Sequence, residues 1–181
     1  MNTEQQKETN RIIVCGVLGI ITMVYLALII CANVQHFNYK MNSDIGAEAV
    51  LARLIWNSGE MVPSTWISST ETRIIATPQL AALFYGWTGD MNLGLGLACC
   101  VMTTGILLAI WCFMKKAGFR TESCLLMCVL SLALSGNMTI LELLYLFASY
   151  YGIHVITFFF IMNCYVMLIC WSDGEYKQHS I

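Results

Sequence analysis

Four stretches of this chain carry no Asp, Glu, Lys or Arg: residues 12–39, 91–114, 123–141 and 143–172. A helix needs about 20 mostly apolar residues to cross the hydrocarbon core of a bilayer. Backbone polar groups in lipid must also be satisfied within the spanning segment, which selects helices. The runs therefore predict an all-α, polytopic helical membrane protein with about four transmembrane helices. They lie near 12–33, 91–114, 124–137 and 150–171, and the third is the weakest. Of the 181 residues, 58% are hydrophobic and 11% charged, a balance that excludes an ordinary soluble domain. The chain reads as one membrane domain, 1–181, with the lipid bilayer as its first partner and no nucleic-acid partner.

Basic residues orient the spans. Lys115, Lys116 and Arg120 crowd the short link between the second and third spans, and Lys7 and Arg11 precede the first. Cytoplasmic loops carry an excess of Lys and Arg, so both termini are expected in the cytoplasm and the long link, 34–90, outside. The first span reads as an uncleaved anchor, because its apolar run is too long for a signal peptide. All nine cysteines fall within or at the ends of predicted spans, which argues against an exterior disulfide framework. Cys124 and Cys128 sit one turn apart and read as packing residues before metal ligands. Gly94, Gly96 and Gly105 suit close helix packing in the second span, and Asn163 suits a hydrogen bond between helices. Glu142 reads as a mark that the third span has ended, and His154 as an interfacial or packed residue.

The exterior link holds much of the chain's polarity, and loops of this kind carry function. In its first piece, Ser43 suits an N-cap and the run to Trp56 suits an amphipathic surface helix. Ile45, Ala49, Ala52 and Trp56 share one side, with Glu48 and Arg53 elsewhere. Asp44 falls in the first turn, where a carboxylate is stabilised by exposed amides and the helix dipole. It either completes the cap or is held ready for chemistry. Asn57, Ser58 and Gly59 end this helix. The second piece, "VPSTWISSTETRI" at 62–74, combines hydroxyls with Glu71, Arg73 and an interfacial ring, Trp66. The third, 77–90, predicts a short juxtamembrane helix with Pro78 in its first turn and an apolar face of Leu80, Leu83, Phe84 and Trp87.

The order of these elements carries a resemblance. An exterior Ser43-Asp44 opening an amphipathic helix, the segment "GEMVPSTWISSTETRIIATPQLAALF" at 59–84, and a following span resemble the amino-terminal part of GT-C-fold membrane glycosyltransferases from bacteria. "SYYGIHVITFFFI" at 149–161 resembles a later return of that fold into the membrane. The resemblance implies sugar transfer from a polyprenyl-phosphate donor to an exterior acceptor at a bacterial cell membrane. Asp44 then matches the early acidic residue that acts as base or helps to hold a divalent metal, the cofactor such a site would use. Chemistry assigns Arg73 to the donor phosphate, Glu71 and Trp66 to a sugar or acceptor pocket, and Glu48 to a secondary place beside Asp44. The family carries many more spans, so the resemblance also implies a chain truncated relative to its family or one working with a membrane protein partner. The rival expectation is a non-catalytic four-helix scaffold or accessory subunit. A transporter ranks third, because the spans hold almost no ionisable residues.

Overall fold

The computed structural model describes residues 3–35, 43–67, 75–133, 144–146 and 149–178. Within them every regular element is a helix: α1 (Thr3–Gln35), α2 (Ser43–Ser58), α3 (Thr77–Thr88), α4 (Met91–Lys116), α5 (Thr121–Ala133) and α6 (Gly152–Gln178). Three helices, α1, α4 and α6, are long and apolar enough to cross a membrane. The expected third span, 124–137, corresponds only in part to α5. That helix has 13 residues, about 20 Å at 1.5 Å per residue, against a hydrocarbon core of about 30 Å. The remainder of the expected span, and Glu142 with it, lies outside the described residues, which contain three helices long and apolar enough to span. α1 begins well before residue 12, because Glu, Gln and Lys in "TEQQKETNR" are good helix formers that carry the helix on beyond its apolar run.

α4 is the axis of the bundle. It packs against α1, α3, α5 and α6, and half of its apolar window is buried. Leu95, Ala98, Cys99, Met102, Thr103, Ile106, Ile110 and Met114 form its buried face at intervals of three and four. Small residues set how closely its neighbours approach. A Cβ on Gly96 would collide with the backbone carbonyl of Asn33 on α1, and one on Gly105 would lie 2.9 Å from Ile156 Cδ1 on α6. Both positions therefore serve the close packing that the sequence implies.

Polar side chains fasten the segment that leads into α6. Asn33, fully buried, donates from Nδ2 to the Tyr145 carbonyl at 2.9 Å, and Thr103 Oγ1 reaches the same oxygen at 3.3 Å. The Tyr145 hydroxyl donates to the Ser131 carbonyl on α5 at 3.1 Å. Thr77 Oγ1 at the start of α3 donates to the Ser149 carbonyl at 3.4 Å. Non-helical backbone at membrane depth is tolerated only where protein satisfies it, and four helices contribute here. Asn163 departs from expectation. It donates to Phe159 O, one turn back on its own helix, at 2.8 Å, so it makes no bond between helices through that amide.

The two ends of the bundle differ in charge. Arg11 Nε pairs with Glu122 Oε1, tying the start of α1 to the first turn of α5. Lys115, Lys116 and Arg120 are exposed at the same end. Lys116 Nζ lies 3.0 Å from Met167 Sδ, which places α6 alongside that end of α4. At the other end, α2 and α3 pack on each other and on α4 as a cap.

Candidate functional site

The cap is built from two short helices and a tightly bonded connection. Gly59 takes the left-handed conformation, φ +70°, that closes α2, and its N–H donates to Ile55 O at 2.9 Å. In the connection, Glu60 Oε2 accepts from the Ser64 N–H at 3.1 Å and Trp66 N–H donates to Pro63 O at 2.9 Å. Gln79 anchors the loop to α3: its Oε1 accepts from Ala76 N–H at 2.9 Å, and its Nε2 donates to Met61 O at 3.2 Å. Gly89 closes α3 with φ +69°, and Asp90 opens α4 by accepting from Asn92 N–H at 2.8 Å and Leu93 N–H at 3.2 Å. α3 and α4 therefore meet in a turn only two residues long.

The buried faces of α2 and α3 correct two expectations. On α2 the buried residues are Ile45, Glu48, Ala52 and Ile55, while Trp56 is half exposed. Glu48 is thus on the inner face, 7% exposed. On α3 the buried residues are Thr77, Pro78, Gln79, Ala81 and Ala82, with no large apolar side chain among them. Leu83 and Trp87 point outward, 60% and 84% exposed. Close approach of α3 to α4 explains this, because Gly94 lies against the Ala81 and Tyr85 backbone with no room for bulky side chains between. The large apolar groups are left on the outer surface of the cap.

The five residues singled out in the sequence are not equivalent. Asp44 is exposed in the first turn of α2, Glu48 is buried one turn later, and Trp66 is half-buried in the connection. Glu71 and Arg73 lie outside the described residues. Among the described residues no group of three His, Cys, Asp or Glu side chains gathers to hold a metal ion, and the nine cysteines carry free thiols.

The cleft that the cap does form has other walls. It measures about 520 Å³ and lies between α2 and the α3–α4 turn, bounded by Val50, Arg53, Tyr85, Asp90, Met91 and Asn92. Arg53 and Asp90 face it with opposite charge, yet neither forms an ion pair with the other among the described residues. Trp56, one turn after Arg53, stands edge-on to Tyr85 with ring centroids 6.5 Å apart. Sequence reasoning placed Arg53 only off the apolar face of its helix and gave Asp90 no role. The readable signal was Thr88-Gly89-Asp90, a helix end followed at once by a helix cap.

At the opposite end, the Arg11 guanidinium holds the Glu122 carboxyl below its ordinary value, first through their hydrogen bond and then through its charge. Comparison of the chain with family models, with curated proteins and with solved structures finds no match in any of the three.

Proposed function

We propose that this chain is a non-catalytic membrane scaffold or accessory subunit, embedded by α1, α4 and α6 and presenting the α2–α3 cap at the bilayer surface. The observation that carries this reading is the uneven burial of its spans. Half of the apolar window of α4 is buried, whereas α1 and α6 each bury only 6% of theirs. Ile12, Ile20, Met23 and Leu28 on α1, and Phe158, Phe160 and Leu168 on α6, all face outward. Such stripes suit lipid and the helices of a membrane protein partner alike. The excess of Lys and Arg at the α4–α5 end supports a cytoplasmic position for both termini, with the cap outside. Photo-crosslinkers placed at Ile20 and at Phe160, in the membrane where the chain is naturally made, test the reading. A discrete protein adduct at either position is expected; lipid adducts alone at both would overturn it.

A second reading, sugar transfer from a polyprenyl-phosphate donor to an exterior acceptor, is favoured by the environment of Glu48. An acid of the exterior link lies on the inner face of α2, 7% exposed, and a carboxylate is one of the groups that serve as a general base. Under this reading the base is Glu48 or Asp44, and turnover in nanodiscs separates them. Loss of transfer in Glu48→Gln, with Asp44→Asn active, assigns Glu48, and the reverse assigns Asp44. No transfer by the unsubstituted chain removes the reading. A bacterial cell membrane is the setting the resemblance implies.

A further inference from the structure

The cleft between α2 and the α3–α4 turn holds two opposite charges that do not satisfy each other. Arg53 is exposed and engages in no hydrogen bond or ion pair with the described residues. Asp90 uses Oδ1 for both of its capping bonds to α4, at 2.8 and 3.2 Å, leaving Oδ2 for another donor. A purely anionic ligand seated on Arg53 would meet the Asp90 carboxylate, and a purely cationic one would meet Arg53. A ligand that carries both signs, separated by a short linker, meets neither conflict. A guanidinium presents a planar fork of donors that matches phosphate oxygens, and a primary amine supplies the donors that a carboxylate lacks.

Depth in the bilayer narrows the source of that ligand. Trp56, 48% exposed, stands one turn after Arg53 on α2 and edge-on to Tyr85, which lines the cleft. Tryptophan collects at the headgroup level of membranes, so the rim of the cleft sits where lipid phosphates lie. At about 520 Å³ the space is within the range of small-ligand sites, roughly 300–1,000 Å³. Val50 and Met91 supply apolar wall for the glycerol end.

We propose that this cleft is a binding site for an ethanolamine-type phospholipid headgroup, with the phosphate on Arg53 and the amine on Asp90. The site does not depend on whether the chain serves a protein partner or transfers a sugar. The full chain is reconstituted with mixtures of phosphatidylethanolamine, phosphatidylglycerol and phosphatidylcholine, and the lipids it retains are counted by native mass spectrometry. Phosphatidylethanolamine is expected to be retained above its share of the mixture. Arg53→Gln is expected to lower that retention about tenfold, the effect of losing a charged hydrogen bond, and Arg53→Lys to restore part of it. Asp90→Asn keeps a good helix cap while removing the charge, so it is expected to leave the fold intact and to abolish the preference over phosphatidylglycerol. Equal retention of the three lipids, or retention unchanged in both Arg53→Gln and Asp90→Asn, would overturn the proposal. So would soluble glycerophosphoethanolamine displacing the lipid at matched concentration, since the ligand would then be a free phosphate amine.

Discussion

Asn33 on α1 and Tyr145, just before α6, are joined by a hydrogen bond of 2.9 Å from side-chain amide to backbone carbonyl. The same carbonyl accepts from Thr103 on α4 at 3.3 Å, so one backbone oxygen links three parts of the bundle. A polar group of this kind, left without its partner away from water, costs about 1–3 kcal/mol.

Asn33→Leu should therefore destabilise the protein by about 1–3 kcal/mol, with Thr103→Val costing less because its hydroxyl also bonds its own helix at Cys99 O. Unfolding in mixed detergent, followed by helicity, checks the order. Equal effects of the two substitutions would show that Tyr145 does not depend chiefly on Asn33.

Gly96→Ala should be more harmful than Gly105→Ala. At Gly96 the new methyl meets the Asn33 carbonyl, which is backbone and cannot step aside, whereas at Gly105 it meets the end of the flexible Ile156 side chain. Overpacking costs about 1–3 kcal/mol, and Gly96 belongs at the upper end. Shortening the neighbour, in Gly105→Ala with Ile156→Val, should recover most of the smaller loss.

The Arg11–Glu122 pair predicts a dependence on pH. The folded protein holds the Glu122 carboxyl below its ordinary value because Arg11 stabilises the charged form. A group whose value is depressed on folding contributes stability above its unfolded value and loses it as pH falls through the folded one. The contribution is thus present at neutral pH and fades in acid, below the usual carboxylate range. Glu122→Gln should remove this part of the acid sensitivity and loosen the start of α1, measured as faster hydrogen exchange of the residues near Arg11.

Glu48→Leu should be tolerated in folding better than Ala52→Glu. Both positions lie on the inner face of α2, 7% and 0% exposed, but the fold already accommodates the carboxylate of Glu48 with its own contacts, whereas one added at Ala52 enters a fully packed place and costs several kcal/mol unless paired. Expression and thermal unfolding in detergent report the difference. Loss of folding in Glu48→Leu would mean that the carboxylate is itself a structural tie.

The spans were legible where the apolar run was long enough to decide by length alone. α4 and α6 begin within two residues of the sequence limits, and α3 begins at the Thr77-Pro78 signal that marks it. Of the third span the described residues carry only the part within α5, Thr121–Ala133, which starts three residues before the expected limit. The cap was legible as two short helices, yet its faces were not. Hydrophobic spacing assumes that large apolar residues turn inward. Here two of them turn outward, Leu83 and Trp87, while Ala81 and Ala82 make the protein contact. Glu48 was missed for the same reason, because charge is expected on the outer face. Arg53 and Asp90 are 37 residues apart in the chain, and only the packing of α2 on the α3–α4 turn brings them to one cleft.

The account rests on a bundle centred on α4, with the cap on one side of the membrane and the basic turn on the other. Single cysteines at Ser64, in the cap connection, and at Ala117, in the α4–α5 turn, test it in intact cells against a membrane-impermeant thiol reagent. The unsubstituted chain sets the background. Ser64→Cys is expected to react at once and Ala117→Cys only after the membrane is opened. Reaction of both before permeabilisation, or of neither, would contradict the architecture.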